Sequence, residues 1–249
     1  MLTRSEVAGR SRKAALGRPL GPGGAPQGVV LLLPAGEALG VRRSTWRAGA
    51  ALLPLARGLV RAGGEDGLAA HVVRYRMRGW NGEDADPVQD ALWAVDEVVR
   101  RHGDVPVALV GVDMGGRAAL RAAGHSAVVC AVALAPWLPA GAVGEEPVKQ
   151  LGGRRVLIVH GTDDAYVGPE VSYRLAERVK KGNRDVCRFE VHSDGHALAQ
   201  HRGEVTALAA DFVVGCLFER DFSRPVTDAL AAPPPLGLRM PLAAGFGGR

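Results

Sequence analysis

The sequence is short of several things at once. Aromatics make up 5% of its 249 residues, so a core has to be built mainly from Val, Leu and Ala. Lys13, Lys149, Lys180 and Lys181 are the only lysines, and the formal charge of +5 rests almost wholly on scattered arginines. Nucleic-acid binding asks for a clustered basic patch and a reading motif. The sequence offers neither, so the charge reads as a solvated arginine-rich surface. Cys130, Cys187 and Cys216 are odd in number and lack paired spacing, which argues against a disulfide framework and against a zinc site. No apolar run approaches the roughly 20 residues of a membrane span. The opening MLTRSEVAGRSRKAALGRPLG lacks the apolar stretch of a signal peptide. GPGGAPQG is glycine-rich but precedes a strand and lacks the Lys-Ser/Thr of a phosphate loop. The expectation is a cytoplasmic monomer or homodimer with no metal, cofactor, nucleic-acid or membrane partner.

What is present is an alternation. Residues 1–27 are polar and Gly/Pro-rich and read as a flexible lead-in with at most a weak edge strand. GVVLLLPAG (Gly28–Gly36) is a fully apolar run stopped by Pro34, the pattern of a buried parallel strand. Ser44–Ala62 is helical in period, Ala70–Met77 strand-like. Asp86-Pro87 opens a helix to about Arg101, with the aspartate as cap. Further strands are predicted at Pro106–Val110, Val128–Leu134, Arg155–Val159 and Cys187–Val191. Helices fall at Met114–Ala123, Pro169–Lys181 and about Gln200–Leu217. Residues 222–249 carry Pro233-Pro234-Pro235 and read as an irregular tail. Strands alternating with helices make a mostly parallel sheet covered on both faces, one domain over residues 28–221.

In such a sheet, ligands bind at the carboxyl ends of the strands. Four stretches fall there: Pro34–Glu37, the glycine-flanked turn GVDMGG with Asp113 at its tip, HGTDDAYVG (His160–Gly168), and HSDGHAL (His192–Leu198). Together they resemble the α/β-hydrolase family, with a capless, dienelactone-hydrolase-like flavour, over about Gly28–Phe218. GVDMGG matches that family's G-x-S-x-G-G nucleophile elbow except at the tip, where aspartate replaces serine. The resemblance implies a nucleophile–acid–His chain order with Asp113, Asp164 and His196 in those roles. Asp164 is preferred to Asp163 because it occupies the matching position in the acid loop. The resemblance further implies oxyanion-hole N–H groups from Met114 and from Gly36 or Glu37.

A carboxylate at the tip changes the chemistry. It needs no activating base and can attack an sp³ carbon bearing a leaving group, as in epoxide or halide substrates, to form an alkyl ester. His196, oriented by Asp164, would then activate water. Asp113 as a general base, acting on ester-type or other substrates, remains open. So do a lyase, isomerase or cyclase on the same site and a non-catalytic binding protein. Relatives that process epoxides or halides carry a helical cap that supplies Tyr or Trp groups; Trp137 to Arg154 is too short for one. Trp137, Tyr166 and Trp80 are the candidate substrate-binding aromatics, with Tyr75 beside them, against packing roles for each. His160 reads as a structural histidine of its turn. Asp194 and His192 read as surface groups. Arg74, Arg76 and Arg78 recur at period two, as an attraction for an anion or a solvated edge.

Overall fold

The computed structural model describes residues 13–139 and 141–248, the side chains of Trp46 and Ala142 apart. Of the 1–27 lead-in, residues 1–12 lie outside the described residues. The rest is tied down: β1 (Ala15–Leu16) pairs antiparallel with β3 (Leu68–Arg74), and Leu20 bridges to Ala70.

The remaining strands are β2 (Gly28–Leu33), β4 (Val107–Val112), β5 (Val128–Leu134), β6 (Arg155–Gly161), β7 (Val186–Val191) and β8 (Met240–Pro241), in the sheet order β1-β3-β2-β4-β5-β6-β7-β8. All pairs from β3 to β8 are parallel. β2 shows why these runs lack alternation. Val29, Leu31 and Leu33 enter one core while Val30 and Leu32 enter the other, so both faces are dry. The first core is roofed by α3 (Asp86–His102), α4 (Met114–Ala122) and α5 (Pro169–Lys180); the second by α2 (Leu53–Gly63) and α6 (Arg202–Phe218). Chain direction across the sheet reverses between β2 and β4, which makes their carboxyl ends a topological switch point. Among the described residues no helix is long and apolar enough to cross a membrane.

Three expectations need correction. The helical stretch at 44–62 is two helices, α1 (Trp46–Ala50) and α2, because Pro54 in the first turn of α2 has no N–H to continue the ladder. Asp86 makes no side-chain cap bond; its carboxylate accepts from Asn81 Nδ2 at 2.8 Å and Arg76 Nη2 at 3.3 Å. The residues from Phe222 onward are regular in part. α7 (Arg224–Ala231) buries Val226 and Ala229, and β8 extends the sheet beside β7. Residues 141–153 hold only short turns, so no helical cap rises over the sheet there.

Candidate active site

The turn at Asp113 is built by absence of side chains around it. A Cβ on Gly111 would lie 2.0 Å from Gly115 O, and one on Gly115 2.0 Å from Leu33 O, so only glycine lets β4 turn into α4 against β2. Asp113 itself sits at φ 51°, ψ −120°, strain of about 1–3 kcal/mol for a residue with a Cβ. It is held there by its own backbone. Its N–H donates to Leu134 O, and its carbonyl accepts from Gly116, Arg117 and Trp137 N–H. The side chain is thereby thrust away from the sheet end.

The acid and histidine loops meet it from the other side. Thr162 N–H donates to Val191 O and Asp163 N–H to Asp194 O, which stitches the loop after β6 to the loop after β7. His196 then lies between two carboxylates: Nε2 is 3.2 Å from Asp113 Oδ1 and Nδ1 is 2.7 Å from Asp164 Oδ2. Asp164 is fully buried, and its Oδ1 accepts the N–H groups of Tyr166 and Val167, each at 2.9 Å. Burial acts to raise its pKa, but the Val167 N–H and the bond from His196 outweigh this and hold the carboxyl below its ordinary range. The Asp113 hydrogen bond is the largest influence on His196. Partial burial opposes it, Asp164 reinforces it, and the imidazole keeps its proton to higher pH than usual. The Asp163 side chain is exposed and accepts from Thr162 Oγ1, so of the two neighbouring aspartates it is Asp164 whose carboxylate meets His196.

A cavity of about 520 Å³ opens on Asp113 and His196. Its walls are apolar, chiefly Leu52, Leu55, Leu134, Leu198 and Val205, with Arg202 at the start of α6 as the cation on its lining. Size and lining suit the apolar part of a small organic molecule. Ala35 lines it as well, while Gly36 is packed against Met114 Sδ and Arg78 O. Glu37 N–H is committed to Arg78 O at 2.8 Å, which removes it as an oxyanion donor; its carboxylate pairs with Arg78 at 2.8 Å. Met114 N–H, in the first turn of α4, has no intrahelical acceptor and is free for that role.

The aromatics divide. Tyr166 is 68% exposed and meets His196 edge-to-face, ring centroids 4.9 Å apart, but it does not line the cavity. Trp80 and Trp137 lie elsewhere: they flank the Arg117 guanidinium at 4.1 and 5.2 Å and do not line the cavity. Arg117 is buried and bonded to Glu146, so the indoles cover an ion pair behind the elbow. Tyr75 is buried in the same core. Arg76 and Arg78 are spent on Asp90 and Glu37, which leaves the period-two arginines little charge for an anion.

One functional residue escaped the sequence reading. Asp194 is 2% exposed, not a surface group, and accepts the N–H groups of Gly195, Ala199, Gln200 and His201. It folds the loop that carries His196. The only signal available was its position two residues before the histidine. Among the described residues no group of three or more His, Cys, Asp or Glu is placed to hold a metal ion.

Comparison with known proteins defines the fold. No protein-family model and no curated protein matches the chain by sequence. Solved structures do. A monoacylglycerol lipase of Paleococcus ferrophilus superposes with TM-score 0.58 at 17% identity, over 81% of this chain and 99% of that one. A Thermus thermophilus protein, TT1662, gives 0.61 at 18%, over 84% and 100%. Est1E of Butyrivibrio proteoclasticus, solved with ferulic acid, gives 0.59 at 16%, over 82% and 96%. The chain has the α/β-hydrolase fold, and structures sharing it include esterases and a lipase.

Proposed function

We propose that this protein is a hydrolase of a small organic molecule that uses Asp113 as nucleophile, His196 as general base and Asp164 as the group that orients it. One observation carries the reading: a carboxylate on a strained elbow, within hydrogen-bond reach of an imidazole whose other nitrogen is held by a second, buried carboxylate. An Asp113 oxygen attacks an sp³ carbon of a substrate whose apolar part fills the cavity. The leaving atom departs with its electron pair, as halide or as an epoxide oxygen that takes the proton His196 carries. The product is an alkyl ester of Asp113. Esterification removes the carboxylate whose hydrogen bond is the largest cause raising the His196 pKa, so the imidazole gives up its proton more readily, to the epoxide oxygen or, where halide leaves, to solvent, and the neutral ring then serves as base. It then takes a proton from water. The hydroxide attacks the Asp113 carboxyl carbon, the developing oxyanion meets Met114 N–H, and the alcohol leaves with a proton. Tyr166 packs its ring edge-to-face with that of His196, beside the reacting groups.

A second reading keeps the fold and residues but makes Asp113 a general base on water attacking an ester. The esterases that share the fold favour it. Intact-protein mass spectrometry on His196→Gln with epoxides, haloalkanes and activated esters separates the two. The first reading expects a stable adduct mapped to Asp113, and label from ¹⁸O-water in the Asp113 carboxylate of the wild type after turnover. Turnover without adduct or label supports the second. Neither adduct nor turnover on any class removes both.

A further inference from the structure

Asp164 carries two histidines on one oxygen. Besides His196, its Oδ2 lies 2.9 Å from Nε2 of His160, the penultimate residue of β6, whose side chain is fully buried. The same Nε2 is 2.9 Å from Val167 O. Both neighbours are acceptors, so this nitrogen bears the hydrogen and donates it. The other ring nitrogen, Nδ1, is buried without a partner among the described residues. A proton there would be an unpaired donor in a dry site, so the ring is neutral. Burial pushes its pKa down in the same sense. The proposed chemistry makes no use of His160.

We propose that His160 is a positioning residue for the triad: its Nε2–H locks the Asp164 carboxylate toward His196 and draws off part of the negative charge that Oδ2 would otherwise present to His196. Two backbone N–H groups hold Oδ1, and two imidazole N–H groups share Oδ2. Because His160 stays neutral, it competes for that oxygen without adding charge. The groups that face His196 are Asp113, Asp164 and the edge of Tyr166, with Arg202 sharing the cavity. Those that act on His160 are Asp164 and, from β7, the buried Arg188, which bonds to Ser172, Glu190, Pro169 and Leu238 rather than to Asp164. The carboxylate's hold on His196 is therefore set at Oδ2 by the competition between the two imidazoles. His196's role as the working base rests on the function proposed above; the geometry at Asp164 does not.

The test is ¹⁵N NMR of the ring nitrogens across pH in the wild type, His160→Leu and His160→Gln, with His196→Gln to assign the signals. The expected wild-type His160 is the Nε2–H tautomer. Leu removes the donor while Tyr166 and Val167 keep Asp164 in place. The freed Oδ2 then holds His196's proton more tightly, and the His196 midpoint rises by about one unit. Gln, whose side-chain N–H reaches the position of Nε2, keeps the midpoint within a few tenths of a unit of wild type. An unchanged His196 midpoint in His160→Leu, or a Gln variant that shifts as far as Leu, overturns the proposal. Should the Leu protein fail to fold, an Nδ1–H tautomer in the wild type or a shifted Gln midpoint overturns it equally. None of these readouts needs a substrate, so they stand or fall apart from adduct formation at Asp113.

Discussion

At the scale of single residues, the site is a charge arrangement before it is a reaction. His196 sits between Asp113 and Asp164, and its raised pKa stabilises the fold below the ordinary imidazole value of 6.5. That contribution is lost as pH rises through the folded value. Asp113→Asn removes the largest cause, so the His196 midpoint should fall toward 6.5 and the stability lost above it should shrink. An NMR titration with urea unfolding at several pH values checks this; an unmoved midpoint would show that Asp164 alone sets it. Asp194 makes a prediction of a different kind. Its four backbone donors have no other acceptor if the side chain is cut back. Asp194→Ala should cost about 3 kcal/mol in urea unfolding and abolish any turnover, because the loop bearing His196 loses its organiser. A loss under about 1 kcal/mol would mean water replaces the carboxylate without penalty.

At the scale of elements, α4 links the elbow to the region where a cap would otherwise stand. Arg117 and Arg121, one turn apart on α4, both bond to Glu146, and Arg178 of α5 donates to the carbonyls of Val143 and Glu146. The 141–148 segment is thus pinned flat against α4, with Trp80 and Trp137 packed around Arg117. Burial acts to raise the Glu146 pKa, but Arg121 and Arg117 overcome it and lower it below the ordinary 4.5. The stability it provides is present above that value and is lost as pH falls through the folded one. Glu146→Ala strands the buried Arg117 charge and should cost about 3–5 kcal/mol at pH 7, with a smaller difference from wild type in acid. A penalty that does not shrink in acid would point to packing and not charge. These contacts also set the packing roles of Trp80 and Trp137, whose faces Arg117 takes.

At the scale of the whole molecule, residues 222–248 complete the sheet. Phe222 stacks on Phe212 of α6 at 5.6 Å, and Phe189 and Glu190 of β7 pair with Met240 and Pro241. The fully buried Arg188 donates to Leu238 O at 2.8 Å. A chain cut after Asp221 should lose its cooperative transition or more than about 3 kcal/mol, since it opens an edge strand and leaves a buried charge short of an acceptor. Soluble yield and thermal circular dichroism decide it; a truncated chain that melts like the full one would make this segment an appendage. Its order was not legible from sequence, because prolines and glycines break its apolar residues into pieces too short to show a period, and only the free edge of β7 selects their arrangement. The central strands were legible to within about two residues, since runs such as Val128–Leu134 are apolar on both faces and bounded by breakers.

The sequence by itself determined the alternation of strand and helix, the glycines that let β4 turn sharply into α4, the aspartate at the tip of that turn, and the order of the three catalytic-type loops. Such features follow from steric and periodic rules that act over a few residues. Tertiary structure alone decided which groups meet. Asp113 and His196 are 83 residues apart in the chain, and Asp164 and His196 are 32 apart. Their contacts exist because parallel pairing sets the ends of β4, β6 and β7 along one sheet edge. The same packing engaged Glu37 N–H, buried Asp194, turned two tryptophans onto an arginine and set His160 beside Asp164. Each of these depends on which backbone group or charge a long-range neighbour presents, and no local rule carries that information.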